Sequence, residues 1–290
     1  MFAKLSRSWE LTKASAAVLR DDKRLVLLPL VSGTLSFIIG ASFIVPFVLL
    51  TMAQETAKGA GHEAKFQFSL LHGVILFALY FVTYSIVAYF NAALICCAMD
   101  KFDGKPVSLR AGLGRAGKRL PQILGWSAIN ATVGVILQWI KEETGLLGRI
   151  VAGFVGLAWT IATFFVIPVL VVEGIGPIAA IKRSTSVMKK MWGETLIVNV
   201  GVSGAMTIIG LVGLLLIGGV TTAICLATQS AWPALGGGLL LTAFLVSLTL
   251  IGSTLKGILV AACYRMAFNG ETPAGFDGQT LRAMFAEKKR

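Results

Sequence analysis

The sequence predicts an all-α, polytopic membrane protein: six transmembrane helices arranged as three helix-pair repeats, each preceded by a basic amphipathic helix at the membrane interface. Three observations lead there. Of the 290 residues, 56% are hydrophobic and only 14% charged, with a mean hydropathy of +0.81, whereas a soluble domain of this length exposes far more charge. The basic residues gather in alternate loops. One sequence unit then recurs three times along the chain.

Crossing ~30 Å of hydrocarbon takes roughly 20 mainly apolar residues. Six runs reach that length: about Leu25–Met52, Leu70–Met99, Pro121–Ile140, Leu146–Val172, Thr195–Ala227 and Gly236–Phe268. Asn130, Thr132 and Gln138 dilute the third. The first follows a long polar and charged segment and exceeds the roughly 7–15 apolar residues of a signal core, so it is expected to stay in place as a span.

Charge orients these spans. Lys58, Lys65, Lys141 and Arg149 lie in the alternate loops, where Glu55, Glu63, Glu142 and Glu143 balance them. The other 22 of the 26 Lys and Arg fall on the opposite side, together with the whole net charge of +12. Basic loops stay in the cytoplasm, so both termini are expected on the cytoplasmic side of the membrane. The basic balance is therefore an orientation signal, and no nucleic-acid partner is expected.

Each repeat opens with a segment whose apolar residues are three and four apart, which places them on one helix stripe. The first stripe is Phe2, Leu5, Trp9, Thr12, Ala16 and Leu19, with Leu11 and Val18 off it. The second is Leu109, Leu113, Ala116 and Leu120, interrupted by Gly112, Gly114 and Gly117. The third is Ile178, Ile181, Thr185, Met188 and Trp192. Lys and Arg flank every stripe, the pattern of a helix lying in the headgroup layer. An outward span, a neutral loop and a returning span follow each one. The returning spans end alike, at FDGKP with Gly104 and Pro106, EGIGP with Glu173, Gly174 and Pro177, and FNGETP with Gly270 and Pro273. Glycine permits a sharp exit, and proline suits the first turn of the next helix. Glu173 thus reads as a membrane-exit marker, hydrated or paired with a basic neighbour. The chain is one transmembrane domain, 1–290, with modules 1–99, 100–173 and 174–268 and a cytoplasmic tail, 269–290, in which Leu281, Met284 and Phe285 open a short helix.

Catalytic chemistry is not apparent. Adjacent Cys96 and Cys97 do not fit a zinc or redox motif, and Cys225 and Cys263 stand alone in spans. His62 and His72 beside Glu63 lack the count and spacing of a closed metal site. The triplet Asn130-Ala131-Thr132 lies inside a span and is discounted for glycosylation. With no phosphate loop, nucleophile elbow or paired intramembrane carboxylates, the expectation is a non-enzyme with no cofactor and no metal. Gly201 with Ala205, Gly257 with Ala261, and Gly210 with Gly213 offer small faces for close helix packing. Tyr80, Tyr84 and Asn91 share a face of the second span.

Polar groups inside spans are the remaining candidates: Asn91, Asn130, Thr163, Asn199 and Lys256. If they converge on a hydrated cavity, the chain transports a small solute or lipid. If they are consumed in separate hydrogen bonds, it is a scaffold or accessory protein. Its partners would then be membrane lipids with anionic headgroups at the cytoplasmic face, a protein, or a second copy of itself. The scaffold reading is preferred.

The stretches YFNAALICCAMDKFDGKP, ILGWSAINATVG, LAWTIATFFVIPVLVVEGIGPIAAIKRS and MWGE resemble a family of prokaryotic six-span membrane proteins of unknown function. More distantly, the chain is similar to the membrane domain fused to some bacterial glycerophosphodiester phosphodiesterases. The first resemblance implies a multi-pass protein of a bacterial or archaeal cytoplasmic membrane with no assigned activity, and the second carries no catalytic residue over.

Overall fold

The structure, a computed structural model, describes residues 2–58, 70–190, 192–271, 273 and 276. Among these it contains ten α-helices and no strand: α1 (Phe2–Asp21), α2 (Leu27–Lys58), α3 (Leu70–Phe102), α4 (Leu109–Gly117), α5 (Leu120–Glu143), α6 (Gly145–Ala162), α7 (Val166–Val172), α8 (Pro177–Lys190), α9 (Trp192–Thr228) and α10 (Trp232–Asn269). A single 3-10 turn, Lys23–Val26, joins α1 to α2 and is capped by Asp22, whose carboxylate accepts from the Arg24 amide. Among the described residues, which are helical without a strand, six stretches are long and apolar enough to cross a bilayer, so the chain is a multi-pass membrane protein. The expected terminal helix at Leu281–Phe285 and the His62–Glu63 pair lie outside the described residues.

Five spans are single helices and the fourth is not. The run expected to be continuous from Leu146 to Val172 stops at Ala162 and resumes at Val166. Pro168 is the cause. Its ring clashes with the carbonyl four residues earlier, that of Phe164, and it has no amide to offer that carbonyl.

The chain packs as two compact units. One comprises Met1–Leu27, Cys97–Val107 and Lys189–Arg290; the other comprises Leu28–Cys96 and Ser108–Met188. In the first, α9 and α10 pair along small residues. Gly213 lies against the Phe244 ring, Gly237 against Thr221, and Gly210 against Leu248, where an added Cβ would sit 3.3 Å from a methyl group. Helices approach this closely in lipid because dispersion contacts replace the missing hydrophobic drive. Exposed large apolar side chains on α10 run from Trp232 to Ile251, and on α9 from Ile208 to Leu226. At ~1.5 Å rise per residue each belt is about 30 Å tall, the thickness of a hydrocarbon core. Beyond Ile251 the helix turns inward-packed, with Thr254, Leu255, Ile258 and Leu259 buried.

Helix α1 belongs to this unit and packs on α9 and α10. Its buried face is Leu11, Thr12, Ser15, Val18 and Leu19, while Ala16 is exposed. The expected stripe is therefore rotated: Leu11 and Val18, placed off it, are at its centre. The side chains of Phe2, Leu5 and Trp9 lie outside the described residues. The same shift occurs in α8, where Ile178 is exposed and Ala180, Ser184, Val187 and Met188 are buried. Trp192, assigned to that stripe, instead opens α9. Both helices turn their closest-packed face toward protein, and small or hydroxylated residues serve there as well as large apolar ones.

In the second unit the lipid-facing part of α6 carries Leu146, Leu147, Phe154 and Leu157 exposed. Its core lies past the break, at Phe165 and at Val166, Val169 and Leu170 of α7, together with Ile123 of α5 and Leu94 of α3, all fully buried.

The α9–α10 pairing makes a direct prediction. Gly213→Leu forces a branched side chain into Phe244, whereas Gly218→Leu enters open space. Overpacking costs ~1–3 kcal/mol. The first variant should lower the thermal midpoint in detergent, and the second should leave it unchanged; equal midpoints would refute the close pairing.

Candidate functional site

At the break in the fourth span, one hydroxyl repairs two backbone groups. The Val166 amide bonds Thr163 O at 3.0 Å and so abandons Ala162 O, its helical partner. The Ser184 hydroxyl of α8 donates to Ala162 O at 2.7 Å and accepts from the Phe165 amide at 3.1 Å. Ser184 is wholly buried, and a bare amide or carbonyl there would cost its full desolvation penalty. Thr185 turns its hydroxyl to Ile181 O at 2.8 Å, with Ala162 O at 3.5 Å. Because both hydrogen-bonding directions of Ser184 are spent on the backbone, its role at the break is to hold α8 against α6 and α7.

One turn before the break, Trp159 gathers two of the expected polar residues. Its indole N–H donates to Asn130 Oδ1 on α5 at 2.8 Å, and its carbonyl accepts from Thr163 Oγ1 at 2.7 Å. Trp126 of α5 stacks on it with ring centroids 5.9 Å apart. The structure thus brings Asn130 and Thr163 onto one residue. Asn91 is half-buried on α3 in the same unit. Tyr80 and Tyr84 face α5, where Gly134 leaves room for the Tyr80 ring and an added Cβ would meet it at 3.0 Å.

Lys256 belongs to the other unit, exposed on α10 five residues past the last exposed large apolar side chain. The Asn199 side chain lies outside the described residues, as do those of His62 and His72. Among the described residues no group of His, Cys, Asp or Glu is arranged to hold a metal ion.

The exit turns have a common conformation. Gly104, Gly174 and Gly270 have φ of 71°, 70° and 68°, a left-handed backbone that favours glycine. The first is a two-bond cap, with Lys105 N–H to Asp100 O at 2.9 Å and Gly104 N–H to Lys101 O at 3.0 Å. At the second, the Arg119 guanidinium lies where a Gly174 side chain would be, and Pro177 starts α8 against Gly125, 3.2 Å from its hypothetical Cβ. Glu173 pairs with Arg183 at 3.4 Å. Asp103 likewise accepts from Arg265 of α10 and pairs with Lys105 at 3.2 Å. Arg265 also holds Glu271 at 3.0 Å. Past these turns, Pro106 leads to α4, whose N-cap Ser108 accepts from the Ala111 amide. Pro273 accepts from the Phe276 amide, and Phe276 packs edge-on against Phe102.

Sequence reasoning singled out neither Trp159 nor Arg265 and gave Ser184 no role. Arg115, expected in the basic flank of the second stripe, instead reaches from α4 to Cys96 O on α3 at 2.9 Å, and the Tyr89 hydroxyl of α3 donates to Leu113 O at 3.1 Å. The signal available for Ser184 was Pro168 inside an apolar run, which demands a polar group from elsewhere.

Two predictions follow from these contacts. Ser184→Ala strips the break of its partner and should cost ~1–3 kcal/mol in a denaturation series. Pro168→Ala restores an amide and allows the helix to close. Adding Ser184→Ala to it should then cost measurably less, with a coupling of ~0.5–3 kcal/mol; simple additivity would show that the hydroxyl does not serve the break. At the first exit turn, the Arg265 hydrogen bond holds the Asp103 carboxyl below the usual carboxylate range, with Lys105 contributing less. A depressed folded-state pKa stabilises above the ordinary carboxylate range, and that gain is lost as pH falls through the lowered value. Solvent screening of this partly exposed pair keeps the gain below ~1 kcal/mol. The gap in thermal midpoint between wild type and Asp103→Asn should therefore close on acidification; a gap independent of pH would refute the assignment.

No curated protein matches the chain significantly. The pattern of one family, described as a family of unknown function (DUF6159), matches residues 70–276. This covers well over half of a chain whose six apolar stretches and exit turns are described above, and the chain belongs to that family.

Proposed function

We propose that the protein is a non-enzymatic scaffold or accessory protein of a bacterial or archaeal cytoplasmic membrane, engaging anionic lipid or a protein partner at its cytoplasmic face. The observation that carries this reading is the fate of the intramembrane polar groups. Asn130 Oδ1 and Thr163 Oγ1 both bond Trp159, and Lys256 is exposed just past the apolar belt of α10. Local pairs of this kind hold helices together, and a lysine at that height reaches the headgroups with its ammonium. Transport would instead need these groups to line a common hydrated path.

Within this proposal the chain is built as three helix pairs, each led by a basic interface helix: α1, α4 and α8. The shared left-handed conformation of Gly104, Gly174 and Gly270 supports the repeat. The exposed Lys13, Arg110 and Lys182 on those helices support contact with an anionic leaflet.

Purification in native lipid patches, with mass spectrometry of what travels along, tests this reading. Anionic phospholipid should be enriched over the bulk membrane. Lys256→Met should leave that enrichment in place and keep stability within about 0.5 kcal/mol. Solute flux in reconstituted vesicles that Lys256→Met abolishes would overturn the proposal in favour of a transporter. Orientation is read in a cysteine-free background: Ser230→Cys should react with an impermeant thiol reagent in intact cells, and Ser186→Cys only after lysis.

A further inference from the structure

A groove of about 500 Å³ lies within the first unit between the end of α1, the 3-10 turn and α10. Its volume is within the ~300–1,000 Å³ usual for small-molecule sites. Leu19, Val26, Leu250 and Ile251 form its apolar walls, and Arg20 and Lys23 stand at its charged end. Ser247, also on the wall, has its hydroxyl bonded to Ala243 O at 2.8 Å, so the wall presents hydrocarbon.

The nearby acids are occupied elsewhere. Asp21 pairs with Lys101 at 3.4 Å, and Asp22 caps the Arg24 amide. Arg20 and Lys23 are both exposed, and no ion pair to either occurs among the described residues. Two exposed cations without an ion-pair partner among the described residues, at one end of an apolar groove, select an amphiphile with an anionic head.

Height settles which kind. Ile251 is both a wall of the groove and the last exposed large apolar side chain of α10, about 30 Å along the helix from Trp232. The groove therefore opens at the border of the hydrocarbon, with Arg20 and Lys23 at headgroup level and the apolar wall reaching toward the tails.

We propose that this groove binds one anionic phospholipid, with its phosphate between Arg20 and Lys23 and an acyl chain along Leu250 and Ile251. The inference rests on the lipid-engaging reading above and gives it a specific site.

The test uses the full chain in nanodiscs of phosphatidylcholine containing graded phosphatidylglycerol, with retention of a fluorescent phosphatidylglycerol as the readout. Each cation contributes about a five-fold gain near an anionic leaflet. Arg20→Gln with Lys23→Gln should thus weaken retention about 25-fold without changing the fold. Ile251→Trp keeps both charges and fills the groove; it too should reduce retention, while binding of soluble glycerol 3-phosphate stays as in wild type. Wild-type retention in both variants overturns the site. If retention is instead lost on changing Lys182 and Arg183 to Gln, the general lipid reading survives and this groove does not. If wild type itself shows no preference for phosphatidylglycerol, the lipid reading fails along with the site. Cross-linking of Ile251→Cys to a second copy in place of lipid retention would assign the groove to self-association and overturn the lipid assignment.

Discussion

Where α6 ends at Ala162, a carbonyl and an amide lose their helical partners inside the protein, and the hydroxyl of Ser184 serves both. Much of the second unit follows from that contact. It pairs Ala162 O and the Phe165 amide at the break before Pro168, and α7 is a short buried helix instead of an extension of the lipid-facing α6. It also fixes α8, on which Lys182 and Arg183 are exposed. The exit turn between α7 and α8 is then short enough for Glu173 to meet Arg183 and for Arg119 to lie over Gly174. Substituting Gly174 would both strain a left-handed backbone and displace a guanidinium.

The first unit meets the same demand with different means. Its helices α9 and α10 are unbroken, and their close approach rests on glycines opposite Phe244, Thr221 and Leu248. Thr254 and Ser15 are buried in the part below the belt among Leu255, Ile258 and Leu11, so hydroxyls fill protein-facing positions alongside large apolar side chains. Charge is concentrated at the turns. Arg265 bridges Asp103 and Glu271, so the end of α10 and the turn after α3 are tied by ionic hydrogen bonds that favour a fixed geometry more than they add stability.

Legibility from sequence followed the range of the interaction. Span positions were visible because ~20 apolar residues in a row have few alternative meanings. The exits at Gly104, Gly174 and Gly270 were visible because a left-handed cap is a local affair of glycine and its immediate neighbours. Gly210 and Gly213 were visible as a notch, although not their partners Leu248 and Phe244. The break was missed because the group that repairs it comes from another helix, 19 residues beyond Phe165. Apolar spacing misplaced the stripe of α1 for a related reason. It ranks Trp9 and Ala16 over Ser15, whereas contact with neighbouring helices selects Ser15, Val18 and Leu11 by fit. Among the intramembrane polar residues, Asn130 could be named without its indole partner, since Trp159 is 29 positions away.

The distance between the break and its repair also bears on the order in which the protein is made. A chain synthesised from its N-terminus presents Ala162 and Phe165 before Ser184 exists. At ~5–20 residues per second, the interval is about one to four seconds. During it, the fourth span has an unfilled carbonyl and amide that hydrocarbon tolerates poorly. The segment therefore reaches its final place only with the arrival of the basic helix that follows, and the two mature as a single piece. That helix, for all its surface charge, is a structural part of the span before it.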